Sequence, residues 1–564
     1  MEKKRLPVGI DDYKKLIDQN YYYVDKTLFV KELLDNLAEV NLFTRPRRFG
    51  KTLNLSMLKY FFEKPVDGNS NAYLFNDKKI MADGGKYAEH QEQYPVIQLS
   101  LKSGKQADFP KAYKMMKLEI AKEYKRHKYI LETMADQDNA AKFRLLSNEN
   151  SEDDAWLEAL AFLSRCLEEY HKQKVIILID EYDVPLENAY YCGFYNEMLG
   201  FIRSLFESAL KSNPSLKFAV ITGCLRISKE SIFTGLNNLK IISILNTIYS
   251  EHFGFIQREV DQMLGFYHLE SKAELIKDWY DGYVFGRTEV YNPWSMVNYV
   301  CDLCTDKDSL PLEYWSNTSS NSIIKDLVCR ADISAKAEIE HLISGGTIQK
   351  IVCETITYGD IYDSMDNLWN FLFFTGYLKM VSLKMIDSRR YVTLKIPNRE
   401  LENIFDTQIF EWFRAEVVQK DMGPVYQSML SGDAGSFERE LSKLLYQSIS
   451  HMDSSEAFYH GFLLGILINM KDYLIRSNRE SGDGRYDICI KGYDMEQPPV
   501  ILEFKIAEKY ADLEAACNKA LKQIEDRKYG IELGEEGYGE CLHIGIGFWR
   551  KRCKVKCRRI TLTQ

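Results

Sequence analysis

Two patterns of apolar and polar positions alternate along the first part of this chain. Short, nearly unbroken apolar runs span Val40–Phe43, Pro95–Leu101, Val175–Ile179 and Leu216–Thr222. Runs of that length predict strands buried on both faces, as in a parallel sheet. Between them, apolar residues recur every three or four positions, as in Leu28, Val30, Leu33, Leu34 and Leu37, and again in Leu53–Phe62 and Phe194–Leu210. That spacing predicts helices with one buried stripe. Thr27 stands where the first of these would be capped. Residues 64–90, rich in Gly, Asn and Asp, read as loop. Residues 110–170 read as mostly helical, broken by a polar stretch from Asp136 to Asp154. Strands alternating with helices predict an α/β fold with a parallel sheet covered on both faces.

The pattern changes twice. Residues 256–440 suggest short helices (Ile256–Leu264, Ala273–Tyr280), then an apolar stretch, Leu368–Met380, and an alternating strand, Tyr391–Ile396. Helices with a following hairpin predict a helical, winged-helix-like region. Beyond it, Glu456–Met470 has helical spacing, Arg485–Ile490 and Val500–Lys505 read as strands, Asp512–Lys528 as a helix and Leu542–Phe548 as a last strand. The expected division is 1–255, 256–440 and 441–564.

Composition narrows the class without choosing a function. The chain has 564 residues, 45% hydrophobic and 27% charged, with a formal net charge of −9. Any nucleic-acid contact must therefore come from local patches. The N-terminus lacks the apolar core of a signal peptide, and the most apolar stretch, Gly461–Met470, is too short to span a bilayer. The twelve cysteines show no framework, which together with these features predicts a cytoplasmic protein with no membrane partner. Cys301 and Cys304 have no second pair nearby, so zinc is not expected.

The chemistry-bearing residues stand at strand ends. Arg45-Pro-Arg-Arg-Phe-Gly-Lys-Thr52 follows the first strand and precedes a helix. It is a phosphate-binding loop in which Arg45 replaces the usual first glycine. Arg48, Phe49, Gly50, Lys51 and Thr52 are the expected nucleotide contacts. Backbone N–H groups would cradle the phosphates, Lys51 would reach the terminal ones, and Thr52 would hold Mg2+. The strand at 175–179 ends in Asp180-Glu181. Asp180 is the expected second Mg2+ group, and Glu181 the residue that activates a water. Thr222, Arg226 and Lys229 leave the C-terminal end of the next strand and are candidate phosphate sensors.

The blocks YYYVDKT (21–27), RPRRFGKT (45–52), ILIDEYDVPL (177–186) and TGCLRISKESIFTGLNNL (222–239) resemble the AAA-ATPase-like family of bacterial proteins. So do Trp279–Gly286, Tyr291–Ser295 and Tyr314–Ser319. The resemblance implies a P-loop domain of the AAA+ or signal-transduction ATPase kind, and ATP as the nucleotide. It also fits Arg45 in place of glycine.

The C-terminal block holds a second constellation. Asp487 and Glu503 on neighbouring strands can place two carboxylates on one Mg2+ or Mn2+. Lys505 shares a strand face with Glu503 and can orient a water or stabilise developing charge. GRYDI (484–488) and ILEFK (501–505) resemble the PD-(D/E)XK nuclease superfamily. Gln523 and Tyr529 resemble the glutamine and tyrosine of its RecB-like branch, at wider spacing. Glu456 is the candidate first-helix metal ligand, with Arg485 and Glu480 of lower weight. The implied activity is metal-dependent cleavage of single- or double-stranded DNA coupled to an ATPase. The rival reading is a nucleotide-controlled switch whose nuclease fold only binds nucleic acid or a protein. A homo-oligomer is open. The basic tail 549–559 could contact phosphates or could be an edge strand guarded by charge.

Overall fold

The computed structural model describes residues 4–562 except 37, 67, 83–85, 152–153, 226–231, 234–235, 316–332, 355–360, 362–363, 406, 408–421, 449–455, 468–469, 471, 478–479, 482–483, 495–496 and 528. The chain forms two compact units. The first comprises residues 1–317 and 349–401, the second 318–348 and 402–564.

The first unit is built on five parallel strands: β1 (Val40–Thr44), β2 (Val96–Ser100), β3 (Val175–Asp180), β4 (Leu216–Gly223) and β5 (Leu239–Ile242). Their order is β2-β3-β4-β1-β5. Every residue of β1 and β3 is buried, as their unbroken apolar runs require. β4 lies between β1 and β3 and pairs in parallel with both. The strand carrying the phosphate loop and the strand carrying the acid pair are thus one strand apart, with their C-terminal ends on the same edge.

Two elements depart from the sequence reading. The polar stretch 136–154 contains a helix, Gln137–Leu146, because the Asp136 side chain caps it by accepting from the backbone of Asp138 and Asn139. β5, only four residues long, was not expected at all. It is held by its register with β1, in which Val40 pairs with Leu239.

After the sheet come helices Gln257–Tyr267, Ala273–Tyr280 and Pro293–Thr305, with a small hairpin, β6 (Tyr283–Phe285) and β7 (Thr288–Val290), before the last of them. A helix, Met365–Thr375, ends at Gly376 (φ 91°). It leads into the antiparallel hairpin β9 (Lys379–Ile386) and β10 (Arg389–Lys395), joined in one sheet by β8 (Ile348–Ile351). This is the helical middle with its hairpin. A Cβ at Gly376 would sit 2.8 Å from Pro46, so its close approach brings this helix end against the phosphate loop.

The second unit centres on a mixed sheet of order β11-β14-β15-β16-β17. Its strands are β11 (Tyr473–Ser477), β14 (Ile488–Gly492), β15 (Val500–Ile506), β16 (Glu540–Trp549) and β17 (Arg552–Thr561); a two-stranded ribbon, β12 (Glu480–Ser481) and β13 (Gly484–Arg485), precedes β14. β15 and β16 are parallel, and helix Leu513–Asp526 connects them. Gly545 and Gly547 of β16 stand opposite Glu503 and Lys505. A Cβ at Gly545 would lie 2.7 Å from the carbonyl of Cys517, and one at Gly547 2.3 Å from that of Leu513. Their missing side chains let the helix pack on the sheet backbone beside the acid face of β15. The opposite face carries Phe504 and Phe548, covered by Tyr459 and His460 of helix Glu456–Leu467.

The basic tail is the edge strand of this sheet. Lys554 pairs with Glu438, Lys556 with Glu514, Arg558 with Glu525 and Arg559 with Glu540. Among the described residues no helix is long and apolar enough to cross a membrane.

Two candidate active sites

The phosphate loop runs from the end of β1 to helix Lys51–Phe62, whose first residue follows Gly50 in a left-handed turn (φ 78°). Arg45 points away from the loop's mouth. It is wholly buried, and Nη1 donates to the carbonyls of Thr44 (2.9 Å) and Ile242 (3.0 Å), tying the ends of β1 and β5 together. Its guanidinium lies 5.1 Å from the ring centres of both Phe253 and Phe285. Burial pulls its pKa down to about 9, while Glu32 opposes the shift. The residue that replaces the motif glycine is therefore a core residue. Its side chain leaves the loop's mouth clear, as a glycine would.

Lys51 folds back over the loop and donates from Nζ to the carbonyls of Arg45 (3.0 Å) and Pro46 (2.8 Å). Thr52 Oγ1 donates to Asp180 Oδ2 at 2.7 Å. The other Asp180 oxygen accepts from the Thr222 hydroxyl and from the backbone N–H of Glu181. Thr52, at the start of the loop's helix, thus joins Asp180 and Thr222, at the ends of β3 and β4, in one cluster. A hydroxyl and a buried carboxylate in direct contact fit a hard divalent cation in donor type. Glu181 has a left-handed backbone (φ 52°). Burial, and then the charge of Asp180, raise its carboxyl above the ordinary glutamate range, which makes it a better proton acceptor.

Phe49 and Arg48 lie differently. The Phe49 ring is buried against Tyr283 and Phe285, and Arg48 stacks on Trp294. Only their backbone can face a phosphate chain in this arrangement. Arg226 and Lys229 lie outside the described residues.

Three residues not singled out from sequence support this site. Asp183, nearly fully buried, accepts from the backbone N–H groups of Cys224 (2.7 Å) and Leu225 (3.0 Å) and so holds the turn after β4. Arg47 pairs with Glu187 at 2.5 Å, and burial raises the Glu187 carboxyl despite that partner. Asp183 follows the acid pair closely enough that an acidic run at a strand tip could have flagged it.

In the second unit, Asp487 precedes β14 and Glu503 lies within β15. The Asp487 backbone N–H donates to Glu503 Oε2 (3.3 Å), and Asp487 Oδ2 accepts from the Phe504 N–H (3.0 Å). Lys505 Nζ lies 3.0 Å from Glu503 Oε1, as the alternation of one strand predicts, and Asp487 meets them from the start of the neighbouring strand. Glu503 is wholly buried. Burial first and the charge of Asp487 second raise its carboxyl to about 7, against the pull of Lys505. Two neighbouring carboxylates, Glu503 wholly buried and Asp487 partly so, fit a divalent cation: bound there, it would offset the repulsion that lifts Glu503.

His460 also reaches this site. Its Nε2 lies 3.3 Å from the Asp487 carbonyl and 2.8 Å from Ser477 Oγ. Nothing in its helical context marked it. Gln523 donates to the Tyr529 hydroxyl (3.4 Å), and Tyr529 packs on Tyr486 beside Asp487. The side chains of Glu456, Glu480 and Arg485 lie outside the described residues. Among the described residues no group of three or more His, Cys, Asp or Glu side chains is gathered as a metal cluster.

Residues 7–233 match the family model described as Predicted AAA-ATPase, and residues 454–557 match that of the PD-(D/E)XK nuclease superfamily. The chain carries an AAA-ATPase-like domain followed by a PD-(D/E)XK nuclease superfamily domain. It is 25% identical to a protein described as "Uncharacterized protein in vnfD 5'region" of Azotobacter chroococcum mcd 1, over 98% of this chain and 97% of that one. The ORC2 protein of Aeropyrum pernix, solved as ADPNP–ADP complexes, matches 70% of this chain and 98% of its own at 10% identity and a TM-score of 0.26.

Proposed function

We propose that this chain is an ATP-binding protein and ATPase whose C-terminal domain hydrolyses DNA phosphodiester bonds with Mg2+ or Mn2+. The observation that carries the nuclease half is the convergence of Asp487, Glu503 and Lys505 at β14 and β15. An acid pair that can hold a metal, with a lysine on the same strand face, can serve attack on a phosphodiester. Asp487 and Glu503 would hold the cation, which when bound supplies Lewis-acid polarisation of the phosphate. Lys505 orients the attacking water or stabilises the charge developing beside it. His460 holds the backbone carbonyl of Asp487 through Nε2, which Ser477 also meets.

At the other site the loop's backbone N–H groups bind the phosphates of ATP. Lys51 exchanges its loop carbonyls for the terminal phosphates, and Thr52 and Asp180 would hold Mg2+. Thr222 fixes Asp180, and Glu181 takes the proton of the attacking water. ATP binding changes the conformation or assembly of the chain and thereby gates cleavage. The substrate is DNA, and single and double strands are both tested. Glu503→Ala is the discriminating variant. It abolishes metal-dependent cleavage while DNA binding persists. If the wild-type protein binds DNA and never cleaves it with either metal, a nucleotide-controlled binding module replaces this reading.

A further inference from the structure

Three motif blocks that the sites above do not use converge on the outer side of the phosphate loop. The Arg48 guanidinium lies 4.2 Å from the ring centre of Trp294. Its Nη1 donates to the Tyr314 carbonyl at 2.7 Å, and Trp294 Nε1 donates to the same carbonyl at 3.2 Å. The next residue, Trp315, donates its backbone N–H to Glu400 Oε1 at 2.9 Å. Ser295 Oγ lies 2.9 Å from each oxygen of that carboxylate. Trp294 and Ser295 are neighbours at the start of helix Pro293–Thr305, which the Asn292 side chain caps. One helix end therefore grips Arg48 with one residue and Glu400 with the next.

Glu400 is wholly buried, and burial raises its carboxyl to about 7, with Arg48 acting against the shift. Arg48 itself has a left-handed backbone (φ 67°), a conformation an arginine keeps only when its surroundings impose it. The flanking loop residues are held from the same side: Phe49 packs on Tyr283, and Pro46 meets Gly376. Trp315 and Glu400 also lie just before the two points, after Asn317 and Leu401, where the chain leaves the first unit.

We propose that Arg48 is a positioning residue of the nucleotide site, and that Glu400 is the buried anchor through which it acts. The side chain of Arg48 holds the loop in the curve that aims its N–H groups at phosphate. Glu400 fixes Trp315 and Ser295, and through them the Tyr314 carbonyl and Trp294 ring that hold Arg48. Loss of either anchor leaves a loop that must be ordered at the moment of binding, which weakens nucleotide affinity. The inference rests on the ATP-binding reading of the loop.

The test is calorimetric titration of the full chain with Mg·ATP, beside thermal melts. The proteins are wild type, Lys51→Ala, Arg48→Met, Arg48→Lys, Glu400→Ala and the Arg48→Met/Glu400→Ala double variant. Arg48 is half-buried in a loop, so its variants keep the fold even if Glu400→Ala does not. Arg48→Met and Glu400→Ala each bind about tenfold more weakly, the scale of one lost charge-assisted contact. Arg48→Lys recovers part of that loss. The double variant binds no more weakly than the weaker single, because both act in one chain of contacts. Wild-type affinity in Arg48→Met, or losses that add in the double variant, would overturn the proposal. A wild type that binds no better than Lys51→Ala overturns the ATP reading first, and this one with it.

Discussion

Replacing Glu503 with glutamine changes stability in a way that depends on pH, and the structure fixes the sign. Burial and Asp487 raise the Glu503 carboxyl from an ordinary 4.5 to about 7. A raised acid favours the folded state fully below its unfolded pKa and loses that contribution as pH climbs through the folded one. For Glu503 the window runs from 4.5 to about 7. Above it, keeping the carboxylate ionised in the fold costs about 3 kcal/mol, the free-energy equivalent of that displacement. The attraction of Lys505 works against the rise and keeps it from being larger. Glutamine keeps the shape and carries no charge; its single amide oxygen accepts from Lys505 or from the Asp487 N–H, and its NH2 accepts from neither. At pH 8 and with metal chelated, Glu503→Gln therefore raises the melting temperature of the C-terminal unit by roughly 6–12 °C, and at pH 4.5 by almost nothing. Scanning calorimetry of both proteins at the two pH values reads the difference, in which other titrating groups cancel. Mg2+ or Mn2+ then raises the wild-type transition at pH 8 and leaves the glutamine variant where it was. An equal offset at both pH values would refute the argument, since Glu503 would then not titrate between them.

Other consequences are as direct. Arg45→Met unfolds at higher denaturant than Arg45→Gly by about 3 kcal/mol, although glycine restores the usual motif, because Arg45 fills the core between Phe253 and Phe285. Equal midpoints would mean that its volume is not needed there. Gly545→Ala pushes helix Leu513–Asp526 off β16 and lowers stability by about 1–3 kcal/mol in a chemical melt, since the new methyl meets backbone atoms of Cys517 and Leu521. A neutral result would show that the helix is free to shift. Lys51→Ala removes detectable Mg·ATP binding in equilibrium dialysis, and retention of binding would place the nucleotide elsewhere.

Much of this fold was legible because its strands are buried on both faces. Val175–Ile179 has no polar residue to blur it, and Asp180 marks its end. β5 escaped because Leu239–Ile242 is short and includes Lys240, so nothing in it separates a strand from a loop. The helix at Gln137–Leu146 was hidden for a related reason. Its polar surface looks like loop, and its cap, Asp136, looks like part of the polar stretch. In the second unit, the spacing of Glu503 and Lys505 in β15 is enough to put both on one strand face, because side chains alternate along a strand. Motif spacing could not tell which way a loop side chain turns. Arg48 reads as a phosphate ligand next to Gly50 and Lys51, yet its partners Trp294, Tyr314 and Glu400 are hundreds of positions away. His460 gave no signal, because its contact is with a backbone carbonyl that only the folded sheet brings near. The basic tail allowed two readings, and its acidic partners across the edge support the guarded strand.

The most direct measurement is cleavage of single- and double-stranded DNA by the purified full chain in Mg2+ or Mn2+, with and without ATP, beside Asp487→Ala and Lys51→Ala. The expected result is metal-dependent cleavage that is absent in Asp487→Ala and that responds to ATP in the wild type but not in Lys51→Ala. Cleavage that persists in Asp487→Ala, or that is absent from the wild type under every condition while DNA is still bound, would contradict it.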